Sequence, residues 1–186
     1  MVANGVQNIR VAFDWSYAQP YQRFSQVPLV MRTAFVNVGG IPTRLSQLDN
    51  LVGLAAQRGL SVLPTVMYVP GWDSAAHPLT SFGTPKRTAP YAHFVTALIK
   101  RYGPKGTFWR GRSAKVPIRA WQIWNEPNIT VFWSAQPFQP AYARLLHAAH
   151  DAIKRADPGA TVMLAGLPNF SWTALARLYK IKNVRR

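Results

Sequence analysis

The sequence predicts an α/β fold in which parallel strands alternate with helices. Three observations lead there. Four short apolar segments are each followed by a longer stretch whose apolar residues recur at helical spacing. The resulting order, βαβαβαβα, makes a parallel sheet with helices outside it. The loops after the strands are longer than those after the helices and carry most of the Trp, Asp and His residues. Function gathers at the carboxyl ends of parallel strands in closed barrels and open sheets alike.

The first strand is NIRVAFDW, residues 8–15, read as a short buried segment. A Pro-containing loop follows, through Gly39, Gly40 and Pro42. TRLSQLDNLVGLAAQRG then reads as a helix, with Leu45, Leu48, Leu51, Val52 and Ala55 on one face. Thr43 is the expected N-cap, and Gly59 suits the C-terminal stop. LSVLPTVMYV, residues 60–69, is the second strand, and a long loop leads to the helix APYAHFVTALIKRYG. A basic loop enters the third strand, IRAWQIW. After the loop NEPNITVFWSAQPFQ, a helix opens with Pro140 in its first turn and ends at Asp157, Pro158 and Gly159. ATVMLAG is the fourth strand, and SWTALARLYK starts a last helix.

Composition narrows the possible chemistries. With 186 residues, 48% of them hydrophobic, the chain is long and apolar enough for a globular core. The absence of cysteine excludes disulfides, zinc–thiolate sites and a cysteine nucleophile. No apolar run reaches the roughly 18 residues of a membrane helix. MVANGVQNIR lacks the pattern of a secretory signal, so localisation is left open. No glycine-rich phosphate loop follows any strand, and no cofactor is expected. His77, His93, His147 and His150 have no acidic cluster around them, so no metal is expected either. Lys plus Arg is 22 against 6 acids, a net charge of +16. Such a surface attracts polyanions, although a merely solvated basic surface is the plainer reading. Its charge gathers in Lys100 to Arg119 and in the tail, with Arg177, Lys180, Lys182, Arg185 and Arg186.

Glu126 is the only glutamate in the chain, in RAWQIWNEPN. Side chains alternate along a strand, so Gln122, Trp124 and Glu126 are expected on one face, and Trp121, Ile123 and Asn125 on the other. Pro127 stops the strand. A solvated carboxylate in a turn is one reading of Glu126. The other follows from Trp121, Trp124 and Trp133 nearby. A carboxyl group beside indoles is partly desolvated and titrates higher, as a general acid must. Asp14 and Trp15 end the first strand, and Trp72 and Asp73 follow the second. Arg10, inside the first strand, is expected to find an ion-pair partner.

WQIWNEPN resembles the strand-4 motif of the clan A glycoside hydrolases, closest in flavour to families 39 and 5. The resemblance runs in order through GVQNIRVAFDWSYAQP, AAQRGLSVLPTVMYVPGWD, YAHFVTALIKRYG and YARLLHAAHDAIKRADPGATVMLAG. It implies a partial (β/α)8 barrel, about strands 2 to 5, as one incomplete domain over residues 1–186. It further implies that Glu126 is the catalytic acid/base, that Asn125 holds the sugar 2-hydroxyl and that Arg10 supports the nucleophile. Trp15, Trp72 and Trp133 fall where sugar-contacting aromatics sit. Where family 5 members often carry a histidine near the end of strand 3, Tyr68 or Trp72 stands in VMYVPGWD.

The implied function is O-glycosyl hydrolysis of a polysaccharide or glycoside with retention. That needs two carboxyl groups, and the second glutamate has no counterpart here. The expectation is therefore a truncated enzyme, inactive alone, whose free sheet edges invite self-association or pairing with a missing C-terminal half. The alternative is a catalytically dead module that binds anionic polysaccharide or nucleic acid through its basic surface. Nothing resembles a nucleic-acid fold, so nucleic acid is the less expected partner.

Overall fold

The computed structural model describes residues 2–75, 83–169, 171–182 and 184. β1 (Asn8–Asp14) leads through a short helix, α1 (Trp15–Ala18), to a hairpin of β2 (Val36–Val38) and β3 (Ile41–Thr43). Then come α2 (Ser46–Gln57), β4 (Ser61–Met67), α3 (Thr88–Tyr102), β5 (Ala120–Ile123), α4 (Gln139–Ala156), β6 (Thr161–Met163) and α5 (Ser171–Leu178). The four strands expected from the sequence form one sheet in the order β1-β4-β5-β6, every pair parallel.

The register separates two faces, because paired residues of a parallel ladder point the same way. Ala12 lies beside Thr65, Thr65 beside Gln122 and Gln122 beside Met163. The opposite face carries Phe13, Val62, Val66, Trp121 and Ile123, all buried. There Phe13 meets Tyr102 of α3 and Trp121 edge-on, at ring distances of 6.0 and 6.4 Å. Tyr91, Phe94, Val95, Leu98 and Ile99 complete the buried stripe of α3. On the face with Arg10 and Ala12 those two residues of β1 are exposed, whereas Thr65 and Gln122 farther along the sheet are buried. β1 is thus covered on one face only, where the sequence reads as a buried strand.

Helix ends follow local chemistry. After α2, Gly59 adopts φ 67°. The Gly59 and Leu60 amides donate to the Ala56 and Ala55 carbonyls, which closes the helix in the left-handed turn that glycine favours. The start differs from expectation. Thr43 is no N-cap; it ends β3, buried, and its hydroxyl accepts from Gln19 Nε2 at 2.8 Å. The segment reads as loop in the sequence because Pro42 disfavours a strand interior. Gly39 and Gly40, at φ 59° and 87°, supply the two positive-φ positions of a tight hairpin turn. In so short a two-stranded ladder, Pro42 opposite Asn37 is tolerated.

Candidate active site

The site lies at the carboxyl end of the sheet. Among the described residues, the four non-glycine residues with positive φ all follow strands of this sheet: Tyr68 (66°) after β4, Trp124 (68°) and Glu126 (46°) after β5, and Asn169 (47°) after β6. Such conformations are uncommon outside glycine and cost of order 1 kcal/mol or more each, so surrounding contacts must hold them. Around Glu126 the backbone supplies those contacts. Its amide donates to the Gly166 carbonyl at 3.0 Å, and its carbonyl accepts from the Ile129 amide at 3.0 Å.

Strict alternation fails at Trp124. The strand ends at Ile123, and the positive φ of Trp124 turns its side chain into the core. There the indole meets Trp133 and Tyr91 at ring distances of 5.1 and 6.1 Å, and its Nε1 donates to the Phe132 carbonyl. Trp124 therefore does not share a face with Gln122. Asn125 comes to the open side instead, against the expectation that it packs with Trp121 and Ile123.

Arg10 joins these residues. Its Nε donates to Gln122 Oε1 at 2.8 Å and its Nη2 to Asn125 Oδ1 at 2.6 Å. The expected ion pair is replaced by two amide oxygens, because the open face leaves the guanidinium solvated and in no need of a carboxylate. Gln122 Nε2 also donates to the Trp124 carbonyl, so one side chain fixes both Arg10 and the turn. Sequence reasoning gave Gln122 no role. Its signal was a polar residue in an otherwise apolar strand.

Asp14, Tyr68 and Glu126 come together across the ends of β1, β4 and β5. Burial pushes the Tyr68 phenol above its ordinary pKa, and the Asp14 and Glu126 carboxyl groups push it further in the same direction. Asp14 is fixed by capping α1: its Oδ1 accepts from Ser16 Oγ at 2.6 Å and from the Tyr17 amide at 2.9 Å. Glu126 is half-buried, and among the described residues no hydrogen bond or ion pair engages its carboxyl group.

The aromatic expectations divide. Trp15 has 0% and Trp133 1% of its surface exposed, so both are core residues with no face to offer a sugar. Trp15 packs on Tyr91 and Phe94, and its Nε1 donates to Gln19 Oε1. Trp133 packs between Trp124 and Tyr142. Trp72 is half-exposed and held at one edge, where its Nε1 donates to the Gln19 carbonyl at 2.7 Å. His77, Arg185 and Arg186 lie outside the described residues.

Solved structures similar to this chain include glycoside hydrolases. A family 39 β-xylosidase from Caulobacter crescentus superposes over 94% of this chain at 20% identity, with a TM-score of 0.57 over 43% of its own length. A glucosidase from Croceicoccus marinus matches 84% of this chain at 17% identity, with a TM-score of 0.54 over 30% of its length. A family 10 xylanase from termite gut matches 88% at 16% identity, with a TM-score of 0.52 over 33% of its length. No family model matches the chain, and no curated protein matches its sequence significantly. The chain shares the fold of part of these enzymes, a partial (β/α)8 barrel of parallel strands and helices. The chain spans less than half the length of each of these structures.

Proposed function

We propose that this chain is the part of a retaining O-glycoside hydrolase that holds the acid/base, Glu126. The observation that supports this most is the Arg10–Asn125 bond of 2.6 Å, which ties the residue beside Glu126 to the open face of the sheet. In this reading Glu126 gives its proton to the leaving oxygen as the glycosidic bond breaks. It then takes a proton from the water that releases the sugar. Asn125 accepts or donates at a sugar hydroxyl, Arg10 steadies Asn125, and Trp72 offers an indole face at the rim.

Glu126 is the only glutamate of these 186 residues. The proposal assigns the attacking carboxylate to a segment outside them, and a carbohydrate is the partner. Pairing along β1 and β6, the two edge strands of the sheet, by that segment or by a second copy belongs to the same reading. The test uses aryl β-xylosides and β-glucosides with the pure 186-residue protein. No phenol release above that of Glu126→Gln is expected. Sustained release that Glu126→Gln abolishes would contradict the external nucleophile.

A further inference from the structure

We propose that the loop between α3 and β5 is a docking surface for an anionic polysaccharide, at the end of the sheet opposite Glu126. Between Lys100 and Arg119 the chain has no acid. The loop presents Lys105, Arg110, Arg112, Lys115 and Arg119, all exposed. Cations in the last turns of α3 and α4 have a ready structural explanation, since they complement the negative end of a helix. These five lie beyond the helices, and that explanation does not reach them. Among the described residues the arginine–carboxylate pairs are Arg87–Asp73 and Arg101–Asp49, so no carboxylate neutralises the loop.

The loop is a fixed platform. Phe108 and Trp109 are buried, and Trp109 Nε1 donates to the Tyr102 carbonyl at 2.9 Å. The Ile118 amide returns to the same carbonyl at 2.9 Å. Arg112 lies 3.9 Å from the Phe108 ring centroid and donates to the Phe108 carbonyl at 3.0 Å. Beside it, a cleft of about 340 Å³ between the ends of α3 and α4 is lined by Lys100, Lys105 and Thr107. Asp157 is the one acid in that lining, and its Oδ1 accepts from the Gly159 amide.

The chemistry of the platform selects the partner. Single-stranded nucleic acid is held by stacking bases on exposed aromatic faces, and here both aromatics of the loop are buried. Reading a duplex takes a helix or ribbon in the groove, and the loop has only a three-residue turn, Thr107–Trp109. Cations alone suffice to hold carboxylated or sulfated sugars, and cations are what the loop supplies.

The test measures binding of polygalacturonate, neutral dextran, poly(dT) and a DNA duplex to the intact chain at several salt concentrations. Polygalacturonate is expected to bind and dextran not to. Five neutralised charges predict that affinity falls roughly a hundredfold from 50 to 200 mM salt. Arg110→Glu with Lys115→Glu should weaken binding about tenfold or more, with the circular dichroism spectrum unchanged. Arg23→Glu with Arg32→Glu makes the same charge change elsewhere and should cost far less. Equal losses from the two double variants would overturn the proposal in favour of net charge alone. Tighter binding of poly(dT) or duplex, or affinity indifferent to salt, would also overturn it.

Discussion

Arg10 and Asn125 are 115 residues apart and do not lie on neighbouring strands, yet they share a 2.6 Å hydrogen bond. β4 stands between β1 and the end of β5. Strands lie about 4.8 Å apart, so the guanidinium reaches across roughly 10 Å of open sheet. The bond draws Asn125 onto the face that carries Arg10 and Gln122.

Arg10→Ala should leave the fold nearly intact, because Arg10 is exposed, and should weaken glycoside binding severalfold by freeing Asn125. Arg10→Lys should not restore it, since an ammonium cannot hold two amide oxygens in one planar fork. Titration calorimetry beside thermal unfolding separates the two effects. Full binding by Arg10→Ala would remove the role given to this bond.

Tyr68 reports on Glu126. The Glu126 carboxyl group is one of the charges that raise the Tyr68 phenol. Glu126→Gln should therefore lower the pH at which Tyr68 ionises, read from its ring carbon in a ¹³C-tyrosine spectrum. An unchanged titration would place the two side chains too far apart to share a site.

Alkali should unfold the chain steeply. Burial pushes the phenols of Tyr91, Tyr102 and Tyr142 above their ordinary value, and the Asp49 hydrogen bond adds to it at Tyr102. A group whose folded pKa is raised contributes stability below its unfolded pKa, about 10, and loses it as pH climbs toward the folded value. Three such groups give a loss of roughly 4 kcal/mol per pH unit above pH 10. Tyr91→Phe should reduce that slope by about a third in unfolding experiments from pH 9 to 12. An unchanged slope would show that Tyr91 ionises freely in the folded state.

Two of the buried indoles, Trp124 and Trp133, should answer differently to Phe. Trp124 Nε1 donates to the Phe132 carbonyl at 2.8 Å, whereas Trp133 Nε1 is buried without an acceptor among the described residues. Trp124→Phe removes a made hydrogen bond, and Trp133→Phe removes a desolvated donor. The first should cost about 1–2 kcal/mol more in urea unfolding. The reverse order would mean that the Trp133 donor finds an acceptor in solution.

The Asp49 network is the strongest polar tie between α2 and α3. Its carboxylate accepts from Arg101 Nε at 2.7 Å, again from Arg101 Nη2, and from Tyr102 Oη at 2.7 Å. Asp49→Ala should cost about 3 kcal/mol, because it strands a half-buried guanidinium and a buried phenol. A loss under 1 kcal/mol would show that water replaces the carboxylate.

Periodicity made the fold legible. Leu48, Val52 and Ala55 sit at helical spacing and are buried, and the four apolar runs became the four strands. Local backbone was harder. Nothing in WNEP announces that Trp124 and Glu126 take positive φ, because neither residue favours it, and so alternation misplaced Asn125. Pro42 hid a hairpin that Gly39 and Gly40 build. Spacing also cannot separate an aromatic that meets a sugar from one that fills a core: Trp15 lies at a strand end and Trp133 in the loop after a strand, as a sugar platform would, and both are buried. The Asn125–Glu126 pair stood out because a lone glutamate at a strand end has no competitor.

That uniqueness makes one measurement direct. Glutamate labelled with ¹³C at the side-chain carboxyl gives a single Glu signal per chain, from Glu126. Titrating the labelled protein with methyl β-xyloside and methyl β-glucoside should move that signal saturably, with methyl α-mannoside as a comparison sugar. A signal unmoved by every glycoside, in a chain whose circular dichroism shows it folded, would contradict the assignment of Glu126 to a sugar site.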